Sequence, residues 1–407
     1  MNNALLNKRY TIKAFDQKGS RPIELAHPEN MSPHPLSFLE LPFDPEYSLY
    51  NNRMTPEHLN NITPDEQYWA IRRDVILRNT GEFPVQISGK DARKFANYIF
   101  AGRNIFNYKV GRCSYQFACY IDGGMITDGV LLHLADDKLW MAQADGEIFK
   151  WYLAHSKDFE VKISDPNVFV SQIQGPKSMK LLEDLIDDEM PNPWKYFDIA
   201  TVNICGDPVI ITRTGFSNEL GWEIYLQPEN KIEEIGELIM KKGKKYNIAL
   251  TGTPVFRARR IEAGLLSAGN DFDKNTNPFQ AGLSKFIDFE KGDFIGRDIL
   301  LKSNKDRLVW GMRVRKGIAK KGRFVFKNSK SIGKICSSTW SPYQECGVCI
   351  VRLDEESFFN EKEVEVEGID GEIYSAQLCS LPMIDKERLI VTGKSNKIPN
   401  EPKPWEG

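Results

Sequence analysis

The sequence predicts an α+β fold with a core of two related halves, followed by a separate small β-barrel or sandwich. Two segments share a pattern of a strand, a glycine and an amphipathic helix, VQISGKDARKFANYIF at 85–100 and SQIQGPKSMKLLEDLI at 171–186. Their separation of 86 residues, from 85 to 171, is too long for a solenoid repeat and indicates two related β-α units. Strand-like segments follow both units, and helices packed on antiparallel strands are typical of α+β architecture.

The elements around these units can be placed in order along the chain. Residues 1–60 are rich in Pro, Asn and His and predict an extended arm lying over the core. Thr63, Pro64 and Glu66 form a capping-box pattern that starts a helix, which we expect to end near Arg73. The strands predicted after the first unit are CSYQFACYI, GVLLHL and LWMAQA, and those after the second are FDIATVNI, DPVIITRTGF and WEIYL.

From about Asp306 the pattern changes to short strands with Gly, Asn or Pro between them, namely LVWGMRVR, GRFVFK, GKICSST, GVCIVRL, EVEVEG and YSAQLC. Basic residues at 313–334 and acidic residues at 354–372 predict solvated faces that pair across neighbouring strands. The polar, Pro-rich tail after Val391 is expected to be poorly ordered. We divide the chain into an arm with the first α+β unit at 1–150, the second α+β unit at 151–305, the β-rich domain at 306–390 and the tail at 391–407.

Composition narrows the class of partner. The 407 residues carry 54 basic and 56 acidic side chains, a net charge of -2, so no overall field selects nucleic acid or a membrane surface. The chain has no stretch of roughly 18 apolar residues and no signal-peptide core at its start, so we expect a cytoplasmic protein whose partners are small molecules or proteins.

The cysteines and histidines do not form a metal-binding pattern. Cys346 and Cys349 make a lone C-x-x-C within a predicted strand, and a zinc site needs two further ligands at suitable spacing. The histidines are scattered, at His27, His34, His58, His133 and His155. We therefore predict neither a metal site nor a disulfide framework.

A buried helix that delivers a polar loop is predicted at 257–289. Apolar or small residues recur at a helical period at Ile261, Ala263, Leu265, Leu266 and Ala268. The period breaks at Gly269, and the polar loop ends at Pro278. A core helix with an ordinary surface turn would give the same pattern.

Two carboxylates are candidates for chemistry. Asp128 follows a Gly123-Gly124 turn at the start of a strand, where it is either a solvent-facing turn residue or a group held toward a ligand amine. Glu223 alternates with Trp222 and Ile224 and so points away from them; it is either exposed or placed in a cleft. In a cleft, its two oxygens could accept the parallel N–H groups of a pterin ring. The sequence has no P-loop, no dinucleotide fingerprint, no nucleophile elbow and no H-E-x-x-H, so we expect any chemistry to depend on binding and positioning rather than on a protein nucleophile.

Several motifs taken together resemble the folate-dependent aminomethyltransferase superfamily, whose founding member is the glycine cleavage T-protein. They occur in the family order over roughly residues 65 to 385 and read GGMITDG, IQGPKS, TRTGFSNELGWEIY, RRIEAGLLSAGNDFDKNTNPF, DFIGRDIL and CSSTWSP. The resemblance implies a three-domain fold with a duplicated α+β core around a central tetrahydrofolate site and a terminal β-barrel.

The resemblance also implies roles for individual residues. Asp128 matches the acidic position at the reacting end of folate, and Glu223 matches the glutamate that binds the pterin. Tyr115, Phe216 and Arg257 fall at or near further folate-binding positions.

Four features depart from the family pattern. Phe216 replaces a usual tyrosine, Thr127 replaces an acid, and Arg78 falls near an otherwise acidic position. An arginine expected one turn before R-x-E-A also has no clear counterpart, although Arg257 is nearby.

SLYNNRM, GVLLHLADDKLWMAQAD and RRIEAGLLS are similar to the branch typified by dimethylsulfoniopropionate demethylase. We therefore predict transfer of a methyl group from a small sulfonium or ammonium donor to tetrahydrofolate. Four aromatic residues are candidates for binding such a cation, Trp194, Tyr196, Trp222 and Tyr225. The alternatives are a glycine cleavage aminomethyltransferase, which requires a lipoyl carrier protein, and a folate-binding protein without turnover.

Overall fold

The computed structural model describes residues 32–51, 53–143, 148–395, 399 and 401–406. The first described element is a three-stranded sheet formed by β1 (Ser32–Pro33), β2 (Pro45–Tyr50) and β3 (Arg53–Leu59), in the order β1-β3-β2. This part of the predicted arm is thus a small sheet, while residues 1–31 lie outside the described residues. Helix α1 (Pro64–Arg73) follows, and its capping box between Thr63 and Glu66 confirms the predicted start.

The first half of the core is a five-stranded sheet in the order β6-β7-β8-β5-β9. Helix α2 and helix α3 pack on its outer face through apolar side chains that include Phe95, Ile99 and Tyr152. The elements are β5 (Val85–Ser88), α2 (Ala92–Ile99), β6 (Cys113–Cys119), β7 (Met125–Ala135), β8 (Lys138–Gln143), α3 (Ile148–His155) and β9 (Lys162–Ser164).

The second half is a six-stranded sheet in the order β11-β12-β13-β10-β4-β14, in which only the β4-β14 pair is parallel. Its outer face packs against α4 and α5, through side chains that include Leu181, Trp222 and Ile235. The elements are β4 (Val75–Asn79), β10 (Phe169–Gln174), α4 (Ser178–Leu185), β11 (Ile199–Ile204), β12 (Asp207–Thr212), β13 (Gly221–Leu226), α5 (Ile232–Gly243) and β14 (Ile248–Leu250).

The two predicted β-α units have the same local geometry. Gly89 and Gly175 join strand to helix with φ of +124° and +128°, where side chains are rarely found. A Cβ at either would lie 2.4 Å or 2.5 Å from a backbone oxygen, that of Glu160 before β9 and that of Asp74 before β4. The similarity of the two halves thus includes the glycine that joins strand to helix in each of them.

The halves also exchange strands, which the predicted boundary at residue 150 does not allow. β4 precedes that boundary but pairs with β10 in the second sheet, and β9 follows it but pairs with β5 in the first. Each repeated strand takes an antiparallel partner from the other side of the boundary, so residue 150 does not separate the two sheets.

The C-terminal domain is a closed barrel in the order β15-β18-β17-β16-β19-β20. Short α7 (Arg297–Lys302) precedes it, and its strands are β15 (Val309–Val314), β16 (Phe324–Lys327), β17 (Lys330–Ser341), β18 (Cys346–Leu353), β19 (Glu363–Glu367) and β20 (Ile373–Cys379). The predicted charged faces do pair: Lys320 and Arg323 lie 3.2 Å and 3.3 Å from Glu367. In the parts of the chain described, no helix is long and apolar enough to cross a membrane.

The tail differs from the expectation of poor order. The backbone amides of Lys403 and Trp405 donate to the carbonyls of Tyr343 and Gln344 at 2.6 Å and 2.8 Å. The Trp405 ring lies 5.0 Å from the Arg315 guanidinium. These contacts hold the described tail residues against the barrel, whereas 396–398, 400 and 407 lie outside the described residues.

Candidate functional site

The inner faces of the two core sheets face each other. Cys113, Leu132 and Trp140 from the first sheet pack with Val170 and Tyr225 from the second in one buried cluster. Side chains alternate along a strand, so residues two positions from these point into the same interface. Glu223 on β13 lies two positions before Tyr225 and therefore shares its face.

Glu223 belongs to a polar row that crosses four neighbouring strands. The register pairs Arg78 with Gln172, Gln172 with Glu223, and Glu223 with Thr212. The Gln172 side-chain amide donates to Oε1 of Glu223 at 2.9 Å, and the Thr214 hydroxyl donates to Oε2 at 2.5 Å. These bonds fix the carboxyl group within the interface.

The environment of Glu223 favours its neutral form. Burial first, and then the nearby Glu82 carboxylate, raise the pKa of Glu223 to about 7. Oε2 of Glu82 is itself buried and has no hydrogen-bond partner within the described part of the chain. The interface therefore contains two carboxyl groups that ligand N–H groups would stabilise.

Asp128 lies on the first sheet. It stands opposite Phe117 in the β6-β7 pairing, and the Tyr115 hydroxyl donates to its Oδ2 at 2.7 Å. Burial raises the pKa of Asp128 to about 6, although the Tyr115 hydrogen bond lowers it. A carboxyl group in this range can hold or accept a proton near neutral pH.

The segment at 257–289 packs against the turn that precedes Asp128. The Met125 amide donates to the Thr276 carbonyl at 2.9 Å, and a Cβ on Gly124 would lie 1.9 Å from the Lys274 carbonyl oxygen. Only a glycine therefore allows this approach. Arg260 donates to Asp271 and to the barrel residue Ser337, each at 2.7 Å, and thereby joins the loop to the barrel.

The helix in this segment differs from the prediction. Helix α6 (Thr253–Ala263) begins and ends earlier than expected, and Leu265, Leu266 and Ala268 lie outside it. Gly264 adopts φ of +67° and ends the helix, with its amide donating to the Ile261 carbonyl. The apolar period continued past this glycine because the following loop is also partly buried.

Aromatic and cationic side chains lie beyond Tyr115. The Phe286 ring lies 5.1 Å from the Tyr115 ring, in an edge-on arrangement. Arg388, from the segment after the barrel, is near enough that its charge lowers the pKa values of Tyr115 and Tyr196 against the raising effect of burial. The candidate site thus extends from Glu223 through Asp128 to this cationic edge.

The structure brings together some of the predicted residues and not others. Tyr225 shares the face of Glu223, and its hydroxyl donates to Oε2 at 3.4 Å. Tyr196 is close enough to Glu223 that the Glu223 charge contributes to raising the Tyr196 pKa. The Phe216 amide donates to Oε1 of Gln172 at 3.5 Å. These residues lie around the Glu223 carboxyl group.

Trp194, Trp222 and Arg257 lie elsewhere. The two tryptophan rings pack edge-on at 4.6 Å in the outer core of the second half, on the opposite face of β13 from Glu223. Arg257 is half-buried and pairs with Glu57 at 3.2 Å. Both faces of β13 are buried, so the alternation of side chains alone could not show which face lines the candidate site.

Sequence reasoning missed Gln172, Glu82 and Arg388. Gln172 is in the repeat, but its contact with Glu223 depends on a register between strands far apart in the chain. Arg388 follows the barrel, and the sequence around it shows no pattern that would have identified it as a site residue.

Among the described residues, no group of three or more His, Cys, Asp and Glu side chains could hold a metal ion. Burial raises the pKa values of the Cys346 and Cys349 thiols to about 12, which disfavours the thiolate that binds metals.

Comparison with known proteins gives consistent matches over most of the chain. A family model described as the GCVT N-terminal domain matches residues 46–291, and one described as the glycine cleavage T-protein C-terminal barrel domain matches 307–385. The aminomethyltransferase of Pseudothermotoga lettingae is 29% identical over 334 residues, which cover 78% of this chain and 90% of that protein. The aminomethyltransferase of Thermotoga maritima is 30% identical over 288 residues, or 68% and 78% of the two chains.

The fold is also similar to a solved structure. The crystal structure of glycine cleavage system aminomethyltransferase T from Bartonella henselae aligns with a TM-score of 0.79 at 20% identity. The alignment covers 88% of this chain and 99% of that one, so the likeness includes both halves of the core and the barrel.

Proposed function

The chain belongs to the glycine cleavage T-protein family, and we propose that it is a tetrahydrofolate-dependent one-carbon transferase acting between its two core sheets. The observation that carries this proposal is the presence of two buried carboxyl groups, Glu223 and Asp128, on facing sheets at one interface. Each is held by hydrogen bonds from neighbouring side chains, so both are positioned before a ligand arrives.

The residues present suit tetrahydrofolate. Its reduced pterin ring carries several N–H groups, and Glu223 offers a buried carboxyl group to accept them. The unpartnered Oε2 of Glu82 supplies a further acceptor near Glu223. Beyond Asp128, the rings of Tyr115 and Phe286 suit an aromatic linker, and Arg388 suits the carboxylates that follow it. The order of these groups matches the order of the parts of the folate molecule.

The proposed roles of the residues follow from this arrangement. Tetrahydrofolate, when bound, supplies the nitrogen that takes up the one-carbon unit. Asp128, oriented by the Tyr115 hydroxyl, accepts the proton that this nitrogen loses. Glu223 fixes the ring and thereby aligns the nitrogen with the donor, and alignment can account for much of the acceleration when the transferred carbon is already activated.

The relatives support an aminomethyl group as the unit transferred. Several proteins named aminomethyltransferase match most of their own length to this chain at 29–30% identity. In that case the donor is an aminomethyl group on the lipoyl arm of a carrier protein, and ammonia is released.

A methyl group from a sulfonium or ammonium compound is the second candidate. The specific observation in its favour is the aromatic ring of Tyr196 near the Glu223 end of the site, because an aromatic face attracts a cation. The methyl carbon would bond to the folate nitrogen as its bond to the donor breaks, and the bonding electrons would leave with a neutral product.

One mass-spectrometric experiment tests the proposal and separates the donors. Purified protein and tetrahydrofolate are incubated either with an aminomethylated lipoyl carrier protein or with a panel of onium, N-methyl and O-methyl compounds. Methylenetetrahydrofolate with the carrier supports aminomethyl transfer, and 5-methyltetrahydrofolate with a small donor supports demethylation. The absence of both products together with no measurable tetrahydrofolate binding would overturn the proposal. Glu223→Gln should abolish whichever product forms, and Glu57→Gln, at the half-buried pair with Arg257 outside the candidate site, is the matched control.

A further inference from the structure

Arg78 carries a buried positive charge that no carboxylate contacts directly. The residue is 8% exposed, and among the residues that the structure describes no carboxylate oxygen lies within 4.0 Å of its guanidinium. Its shortest hydrogen bond goes to the Thr253 hydroxyl at 3.0 Å, while the carbonyls of Thr251 and Pro56 accept at 3.3 Å and 3.4 Å. The two carbonyl contacts are longer than an ordinary N–H···O bond of about 2.9 Å. The guanidinium therefore keeps capacity to donate stronger hydrogen bonds.

The other buried arginines in the described part of the chain are better satisfied. Three of them pair with a carboxylate, namely Arg72, Arg259 and Arg260. Two more donate to carbonyl oxygens at 2.8 Å or less, namely Arg53 and Arg213. Arg78 has neither kind of contact. Burying a charge without a close partner costs free energy, and an anion that binds to Arg78 would reduce this cost.

The acidic residues around Arg78 are engaged elsewhere or favour their neutral form. Burial lowers the pKa of Arg78, and the charges of Glu82, Glu57 and Glu40 counter this effect. Glu57 pairs with Arg257 at 3.2 Å. Burial raises the pKa of Glu40 to about 7, and burial also raises the pKa of Glu82. The protein therefore balances only part of the positive charge at Arg78.

Arg78 lies inside the candidate site, on the same face of the second sheet as Glu223. A single strand, β10, separates Arg78 on β4 from Glu223 on β13. The Phe256 ring of α6 lies 5.0 Å from the Arg78 guanidinium. Arg260 follows Phe256 by one turn on the same face of α6, and its charge lowers the pKa of Asp128. Arg78 thus lies between the end of the site at Glu223 and the reacting end at Asp128.

Apolar side chains surround the Arg78 guanidinium. Ile76 lies two positions before Arg78 on β4, shares its face, and packs with Phe256 in one buried cluster. Half-buried Phe216 packs against the same cluster. In such surroundings a carboxylate can accept two parallel hydrogen bonds from a guanidinium, and both bonds are stronger than in water. A cationic group at this point would be repelled.

We infer that Arg78 binds a carboxylate group of the one-carbon donor, so that the donor is a small methylated acid. The inference rests on the proposed function, since it names the chemical class of the donor in the same transfer. An aminomethylated lipoyl arm, joined to its carrier through an amide, has no carboxylate and would leave Arg78 without a partner. A methylated acid supplies this partner and brings its methyl group into the interface between the sheets.

The carboxylate itself is unchanged in the transfer. The methyl carbon bonds to the folate nitrogen while its bond to the donor heteroatom breaks, and the bonding electrons stay with that heteroatom. Asp128 accepts the proton that the folate nitrogen loses. Arg78 contributes by holding the donor at one end, so that its methyl carbon is aligned with the nitrogen.

Binding without turnover gives the direct test. The full-length protein is saturated with 5-deazatetrahydrofolate, in which a carbon replaces the reacting nitrogen, so that no transfer consumes the donor. Isothermal titration calorimetry then compares three acids, each with its own carboxamide: (dimethylsulfonio)acetate, (trimethylammonio)acetate and 4-methoxybenzoate. We expect at least one acid to bind about 10- to 100-fold more tightly than its amide, because a hydrogen bond between charged groups contributes that much.

Variants of Arg78 locate the preference. Arg78→Met should bind acid and amide within about twofold of each other, because methionine has no charge and no donor. Arg78→Lys keeps the charge without the paired donors and should retain a preference of about threefold. Both variants should bind tetrahydrofolate with a Kd within about threefold of wild type, which also shows that they are folded. If Arg78→Met does not fold, wild type and Arg78→Lys still decide the question.

Arg93→Met is the matched control. Arg93 also donates to a backbone carbonyl, that of Ile105 at 3.1 Å, but it lies on α2, on the outer side of the first sheet. This variant should keep the full preference for the acid.

Three results would overturn the inference. If no acid binds to the wild type more tightly than its amide, or if Arg78→Met keeps the preference, Arg78 does not bind the donor, while the folate proposal remains intact. If folded Arg78→Met loses affinity for tetrahydrofolate instead, Arg78 binds a carboxylate of folate itself. If the wild type does not bind tetrahydrofolate at all, the proposed function fails and this inference fails with it.

Discussion

The Tyr115 hydroxyl donates to Oδ2 of Asp128 across two adjacent strands, at 2.7 Å. This hydrogen bond lowers the pKa of Asp128, while burial raises it more strongly, and the balance is a pKa of about 6. Tyr115 therefore both orients the carboxyl group and keeps it ionised at neutral pH. These two effects can be separated by experiment.

Replacing Tyr115 with phenylalanine should shift the pH dependence of the reaction. Without the donated hydrogen bond, the pKa of Asp128 rises, so the acid limb of kcat/KM should move to higher pH by about half to one unit. A pH–rate profile measures this shift. Tyr98→Phe is the control, because Tyr98 packs on Phe159 on the outer side of the first sheet. An unchanged acid limb in Tyr115→Phe would contradict the assignment of that limb to Asp128.

Asp128→Asn should stabilise the protein while abolishing proton acceptance. The pKa of Asp128 in the folded protein, about 6, lies above its ordinary value of 3.8, so ionisation of Asp128 disfavours the folded state. This destabilisation of the folded state is absent below about pH 4, grows as the pH rises to about 6 and is constant above that pH. It has this form because Asp128 ionises at lower pH in the unfolded chain than in the folded protein. We expect the variant to be more stable by about 1–3 kcal/mol at pH 8 and to lose about 10²- to 10⁴-fold in kcat.

Chemical denaturation at pH 4 and pH 8, together with kcat at pH 8, checks both halves of this prediction. If the difference in free energy of unfolding between variant and wild type is the same at pH 4 and pH 8, Asp128 is not desolvated in the folded protein.

Glu223→Gln should weaken tetrahydrofolate binding while the protein stays folded, and at pH 8 it should also stabilise the fold, because burial raises the pKa of Glu223 to about 7. The glutamine oxygen can accept from Gln172 and its NH2 group can donate to the Thr214 hydroxyl oxygen, but only one acceptor oxygen remains for the pterin N–H groups. We expect Kd to rise about 10- to 100-fold, since a charge-assisted pair is worth about 1.5–3 kcal/mol. Calorimetric titration gives Kd, and Glu57→Gln should leave it unchanged. An unaltered Kd in Glu223→Gln would place the pterin elsewhere.

Much of the architecture could be predicted because it depends on local patterns. The capping box at Thr63, the repeat around Gly89 and Gly175 and the six barrel strands all appear in short stretches of sequence. Asp128 and Glu223 were found as carboxylates on strands that follow turns, and their motifs indicated folate.

The remaining features depend on contacts between distant parts of the chain. Arg78 and Gln172 are neighbours only through the β4-β10 register, and the exchange of β4 and β9 between the sheets follows from the same long-range pairing. Trp222 and Glu223 lie on opposite faces as alternation requires, yet both faces are buried. The tryptophan was therefore a core residue, and the pattern could not distinguish the two cases.

Gly175→Ala should destabilise the protein far more than a glycine substitution in open space. Gly175 combines φ of +128° with a Cβ position only 2.5 Å from the Asp74 carbonyl oxygen, so strain and a backbone clash add. Gly371 in the barrel turn has φ of +87° and no atom within 4 Å of its Cβ position, so it carries strain alone. We expect Gly371→Ala to cost about 1–2 kcal/mol and Gly175→Ala to cost about 4 kcal/mol or more. Equal free energies of unfolding in urea would contradict the repeated close approach.

Glu262→Ala should be strongly destabilising because Glu262 joins helices α1 and α6 of the core to the barrel. Its carboxylate accepts hydrogen bonds from Tyr68 on α1, at 2.8 Å, from Arg259 on its own helix and from Ser341 on the barrel. Arg259 also pairs with Glu219 at 2.8 Å, and every one of these side chains is buried. Removing the carboxylate leaves the buried Tyr68 and Ser341 hydroxyls without this acceptor and leaves the buried Arg259 guanidinium with Glu219 as its remaining partner.

Breaking a buried charge pair in this way costs about 3–5 kcal/mol. Glu57→Ala breaks the half-buried pair with Arg257, which lies on the same helix as Glu262, and should cost about 1 kcal/mol, which makes it the matched control. Urea denaturation of both variants measures the difference. If Glu262→Ala unfolds as late as Glu57→Ala, the network contributes little to stability. If it unfolds earlier and in a single transition, as we expect, the core and barrel remain one cooperative unit whose stability depends on this carboxylate.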